Sequence, residues 1–201
     1  MCSVFDVDDH AGMERFLKEY GVHHPKRKLY GRRRRPTQRV SIVTARHGEP
    51  SVETAIWHLY MERDGDNWQK LDKRPEYRKS RCLIPTTAWV ESLHAKNPVK
   101  FSYGEPFFFC GLYKTWGDRL SCSIITIATH PRTRRYHDKS LPMVARADQD
   151  FVQDWLSGGE DIASFGPYLH PHIEYAGHPL SVRPVERATS THYTGEPLDL
   201  S

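Results

Sequence analysis

Apolar positions along the first third of the chain recur with two different periods. Met13, Phe16, Leu17 and Tyr20 fall at i, i+3, i+4 and i+7, which predicts one face of an amphipathic helix over 11–20. Gly21 stops that helix and Pro25 lies just beyond. RVSIVTAR (39–46) and TAIWHLY (54–60) read as strands, and the polar stretch 61–80 as a loop with at most one helical turn. From residue 82 the pattern becomes strand-dense. CLIP, AWVE, VKFSY, FFFCGLY and SCSIITIAT are separated by short turns carrying Pro, Asn, Gly or Asp, a spacing that favours antiparallel pairing. A second helix is predicted over 147–157, with Phe151, Val152, Trp155 and Leu156 on one side, Asp148 as its cap and Gly158-Gly159 at its end. LSVRPV (180–185) is a last strand, and 186–201 a flexible or extended tail. Clustered strands with few helices predict an α+β fold: a mainly antiparallel, barrel-like sheet with a few flanking helices.

The length of 201 residues suits a single domain over 1–201 with a substantial core. The net charge of +4 is unevenly spread. Residues 26–39 hold eight Lys/Arg and no acid, so a mildly acidic body carries one cationic strip, the footprint of a polyanion site or else a solvated basic loop. Arg32, Arg33, Arg34 and Arg35 are the candidate phosphate contacts, and such contacts position a nucleic acid without reading its bases. Of the four cysteines, Cys110 and Cys122 lie inside apolar runs, which suits buried thiols better than a disulfide framework. Neither a secretory h-region nor a membrane-length apolar stretch is present, so a cytoplasmic protein without a membrane partner is expected. His170 and His172 flank Pro171 without further ligands at recognisable spacing, and no metal is expected.

Cys2 follows the initiator Met1 directly. Aminopeptidases accept a small second residue, so loss of Met1 would leave a cysteine with a free α-amine next to its thiol. With pKa values of about 8 and about 8.5, a usable fraction of each is nucleophilic at neutral pH. A 1,2-aminothiol condenses with aldehydes to an imine and then a thiazolidine, and it can also act as an N-terminal nucleophile in amide hydrolysis. Position alone leaves both chemistries, and no role at all, open.

Four separated segments carry a resemblance. The opening MCSVF, RCLIPTTAWVE (81–91), PFFFCGLYKTW (106–116) and SIITIATHPRTRRYHDKSLPMVA (123–145), followed by DFVQDWL, resemble in order and rough spacing the SOS-response-associated peptidase (SRAP) family. The resemblance implies a protein of the DNA damage response. It would bind single-stranded DNA and link covalently to the aldehyde of an abasic site, with autopeptidase and lyase activity as companions. By position it implies Cys2 as nucleophile after self-removal of Met1, Glu91 as the catalytic glutamate, His137 as the catalytic histidine and Lys139 as a DNA contact. No cofactor and a monomeric state are expected. The chain departs from the family where DNA is held. Val4 stands where the family has an arginine, Thr86-Thr87-Ala88 stand for Ala-Asp-Gly, and the Asn-Ala-Arg-x-Glu-Thr motif has no equivalent between Trp57 and Cys82. Two other readings compete. One is a non-catalytic nucleic-acid-binding module using Trp57, Trp68, Trp89 and Trp116, although most of these sit in strand patterns that favour the core. The other is an N-terminal-cysteine peptidase acting on proteins.

Overall fold

The computed structural model describes residues 4–8, 10–22, 33–57, 78–93, 96–158, 165 and 172–201. In chain order its elements are β1 (Val4–Asp6), α1 (His10–Glu19), β2 (Arg39–Thr44), β3 (Ser51–Trp57), β4 (Arg81–Thr86), β5 (Ala88–Leu93), β6 (Lys96–Ser102), β7 (Phe107–Trp116), β8 (Arg119–Ile124), β9 (Thr126–Ala128), β10 (Ser140–Pro142), α2 (Gln149–Ser157), β11 (Glu174–Tyr175), β12 (His178–Pro179) and β13 (Ser181–Pro184). Strands β2-β3-β8-β7-β4 close into a barrel, and β1-β5-β6-β13 form a second sheet. The expected α+β architecture, with a mainly antiparallel barrel and flanking helices, is borne out.

The continuous apolar run of β7 explains how the layers stack. Alternate residues of a strand point to opposite faces, so a strand apolar throughout is buried on both. Phe107 and Phe109 join an inner cluster with Ile84, Trp57, Trp89 and Phe101, while Phe108, Cys110 and Leu112 face Phe16, Leu17, Phe151 and Trp155 of the two helices. Gly111 sits where this strand is crowded. A Cβ there would lie 2.8 Å from the Ser123 carbonyl oxygen and 2.8 Å from Ile84 Cδ1.

The second helix forms as its pattern predicts. Asp148 accepts a hydrogen bond from the Phe151 N–H at 2.7 Å, and the four apolar residues are buried. Gly158 caps its end in the left-handed region at φ 71°, a conformation that favours glycine. Trp155 Nε1 donates to the Cys82 carbonyl at 3.0 Å, fixing α2 to the barrel wall. Cys82, Cys110 and Cys122 are buried free thiols.

β3 pairs with β8 in parallel (Ile56↔Ser121, Trp57↔Cys122), since closing the barrel joins strands that no short turn connects. One expectation is corrected: SCSIITIAT is two strands and not one. At Ile125 the chain leaves the edge of β7, its N–H still bonding the Cys110 carbonyl at 3.0 Å, and β9 pairs with β10 instead. The stretches 58–60 and 61–77, expected as strand end and loop, lie outside the described residues, as do His170 and Gly159.

After β13 the chain turns at 186–192, with the Ser190 N–H on the Arg187 carbonyl at 2.8 Å, and runs back along that strand. Val185 bridges Tyr193, the Leu198 N–H bonds the Val182 carbonyl at 2.7 Å, and Leu198 and Leu200 pack against the inner cluster. Among the described residues no helix is long and apolar enough to cross a membrane, and no group of His, Cys, Asp and Glu could hold a metal ion.

Candidate functional site

The site is built where β1, β5 and the loop joining β9 to β10 meet. β1 runs antiparallel to β5, with Val4 opposite Val90, one residue short of Glu91. Across β5, the Lys100 ammonium on β6 reaches Asp8 Oδ2 at 3.0 Å and Asp6 Oδ2 at 3.4 Å, tying the first strand to the sheet. Val4 is buried with Val90 and Val185, so the position that departs from the family's arginine has become an apolar contact within the protein.

Glu91 faces inward and is only 1 % exposed. The next residue marks an irregularity: the β5–β6 register shifts between Ser92 and Leu93, and the residue opposite Ser92 is Pro98. Proline has no N–H, so the Ser92 carbonyl cannot take a ladder bond from it. That carbonyl instead meets His137 Nδ1 at 3.2 Å.

His137 arrives on the loop 129–139 of the β9–β10 hairpin. A 3₁₀ turn at Pro131–Thr133 is capped by His130, whose Nδ1 accepts from the Arg132 N–H at 3.1 Å. The Thr133 carbonyl takes the N–H of Tyr136 at 2.9 Å and that of His137 at 3.1 Å, and the Thr129 hydroxyl donates to the Lys139 carbonyl. The imidazole is thereby 3 % exposed, with Nε2 3.1 Å from the Ser140 carbonyl and 3.7 Å from Glu91 Oε2. Two residues expected to act together are thus adjacent and buried.

Burial pushes the Glu91 carboxyl up to about 8. It also lowers the His137 imidazole from its ordinary value, outweighing the Ser92 and Ser140 carbonyls that favour its charged form. Near neutrality the pair therefore holds one proton on the carboxyl beside a neutral imidazole, an arrangement able to donate a proton and take it back. Burial pushes the Cys82, Cys110 and Cys122 thiols up, and none of the three is a nucleophile at neutral pH.

The basic candidates fall on two elements. Arg34 bridges Phe5 on the outer edge of β1, the Arg33 N–H bonds Asp6 Oδ1, and the Arg35 N–H bonds Gln38. Lys139 is exposed on the hairpin loop, two residues after His137. Cys2 and Arg32 lie outside the described residues. Trp57 and Trp89 are buried, as their strand contexts predict, and Trp116 is 41 % exposed. Sequence patterning alone does not single out Arg132, Arg134, Arg135 and Tyr136, which share the loop with His137. The signal was three arginines in four positions, inside a segment already assigned to another motif.

A small barrel with a second sheet, and a buried carboxyl–imidazole pair where that sheet meets the β9–β10 loop, defines the class. A family model for the SOS response associated peptidase (SRAP) matches residues 18–191, and the chain belongs to that family. The matched span begins after Cys2. The fold is similar to the crystal structure of a protein from Bacteroides thetaiotaomicron (17 % identity, 92 % of each chain covered, TM-score 0.70). It is also similar to that of a phage-related protein from Bordetella bronchiseptica (12 % identity, 92 % of this chain and 95 % of that one, TM-score 0.64). None of the curated proteins matches the chain. Family membership supports a role associated with DNA damage.

Proposed function

We propose that this chain captures abasic sites in single-stranded DNA through the amino terminus exposed when Met1 is removed. The observation that carries the reading is the buried Glu91–His137 pair, 3.7 Å apart, next to the strand that leads back to Cys2. Val4 stands two residues after Cys2, so covalent geometry keeps the two Cα atoms within about 7 Å.

An abasic deoxyribose equilibrates with an open-chain aldehyde. His137 assists that ring opening by moving the proton between the anomeric hydroxyl and the ring oxygen. The α-amine of Cys2 adds to the aldehyde carbon, forming a C–N bond and a carbinolamine. Glu91, protonated at neutral pH, gives its proton to the departing hydroxyl, which leaves as water and yields the imine. The Cys2 sulfur then adds to the same carbon, its proton passes to nitrogen, and the thiazolidine closes. No cofactor is required. Loss of the C2′ proton, next to the imine carbon, would instead expel the 3′-phosphate by β-elimination and cut the strand, which makes lyase activity a side reaction. Attack of the Cys2 thiolate on the Met1 carbonyl would break the peptide bond, free the α-amine and leave a thioester, which water would hydrolyse to release Met1. Arg32, Arg33, Arg34, Arg35 and Lys139 hold the DNA backbone.

Intact-mass spectrometry tests the reading, with the protein measured before and after mixing with an abasic oligonucleotide. The expected result is loss of Met1, then a single adduct equal to protein plus oligonucleotide less one water, abolished by Cys2→Ala. Retained Met1, or an adduct that survives Cys2→Ala, overturns it.

A further inference from the structure

A groove of about 640 Å³ opens beside the Glu91–His137 pair, walled by Leu93, Pro98 and Val99 on the sheet, Arg135 and Tyr136 on the hairpin loop, and Leu198 of the closing segment. It shares its walls with the pair: Val99 is the register partner of Glu91, and Tyr136 precedes His137. The loop that forms its rim carries Arg132, Arg134, Arg135 and Lys139 against one acid, Asp138. The Arg135 guanidinium lies over the Tyr136 ring at 4.9 Å, a flat cationic and aromatic surface facing the apolar Leu93, Pro98 and Val99, with Asn97, Thr194 and one acid, Glu186, completing the lining.

The donors at its rim are engaged by the protein itself. Arg135 Nη2 and the Tyr136 hydroxyl both donate to one oxygen, the carbonyl of Asp199, the Tyr136 bond being 2.8 Å long. A charged donor and a hydroxyl converging on one acceptor suit an anionic oxygen better than a neutral carbonyl, because charge-assisted hydrogen bonds are about twice as strong. A phosphate oxygen meets that demand, and the adjoining ring and apolar wall offer a face to a base.

We propose that this groove is a subsite for a nucleotide of single-stranded DNA flanking the one captured at Cys2. Arg135 and Tyr136 grip its phosphate, and the Asp199 carbonyl of the segment 197–201 holds those two donors until DNA displaces it. The identity of the polymer rests on the function proposed above; the competition between segment and ligand does not depend on covalent chemistry.

The experiment is fluorescence anisotropy with an intact single-stranded oligonucleotide that has no abasic site. The full chain is compared with a chain shortened after Glu196, each with and without Arg135→Ala, while thermal melting checks that each variant folds. Shortening removes the resident competitor and is expected to tighten binding roughly three- to tenfold. Arg135→Ala is expected to cancel that gain and to make the salt dependence shallower by about 0.7 in log–log slope. A folded shortened chain that binds no more tightly overturns the proposal, as does Arg135→Ala with unchanged affinity and slope. If the shortened chain does not fold, Arg135→Ala and Tyr136→Phe in the full chain decide, both being expected to weaken binding. No binding by any variant also overturns the subsite. Absence of an adduct with abasic DNA instead overturns the capture reaction and leaves this affinity readout intact.

Discussion

Glu91 keeps its proton at neutral pH because the strand that bears it turns its side chain inward and the neighbouring imidazole is itself uncharged. The consequence for stability has a definite sign. A carboxyl whose folded pKa is raised to about 8 binds a proton that the unfolded chain releases near 4.5, so its contribution is complete below 4.5 and is lost as pH rises through 8. Glu91→Gln should therefore gain stability relative to the parent by about 1.4 kcal/mol per pH unit across that window, read from urea melts between pH 5 and pH 8. A constant difference contradicts a protonated buried carboxyl. His137, lowered by burial, acts with the opposite sign and only below its ordinary value, which keeps the two effects separable. If Glu91 is the acid of the capture step, adduct formation by the parent should also slow above pH 8.

Among elements, β7 carries the most consequence, since it is buried on both faces and forms the wall between the helices and the inner core. Gly111→Ala places a methyl group 2.8 Å from a backbone oxygen of β8, which cannot yield as a side-chain end can. The expected cost is about 1–3 kcal/mol in a denaturant melt; a neutral substitution would mean that the β7–β8 spacing is set elsewhere. The same elements mark what patterning could reach. The FFFC run, the α2 stripe and the Asp148 cap are legible because burial and capping act locally. The break at Ile125 is hidden, since both sides of it are apolar. The parallel β3–β8 pair is hidden too, because no turn encodes it. Glu91 and His137 are legible only as parts of separate motifs. Their meeting depends on a bulge, on Pro98 withholding an N–H and on a turn knotted by Thr133, and none of these has a periodic signature.

At the scale of the whole molecule, two groups of basic residues among those described, Arg33–Arg35 beside β1 and Arg132, Arg134, Arg135 and Lys139 on the hairpin loop, flank the elements that carry the carboxyl–imidazole pair. If single-stranded DNA is held on both groups, their cations neutralise several phosphates, and log affinity should fall against log salt with a slope of about −2 or steeper. A salt-independent affinity would mean that the basic groups do not grip the backbone. The lost arginine at Val4 does not decide the matter, for that position now serves the protein's own packing and other cations stand nearby.

The pairing of β1 with β5 has a consequence for the order of events during synthesis. Beyond its bridge to Arg34, β1 finds its ladder only in residues 88–90, and the imidazole that completes the pair is translated later still. If the capture reaction proposed above holds, its acid and its imidazole come together beside β1 only after His137 has been made, so the assisting groups arrive late and as a set.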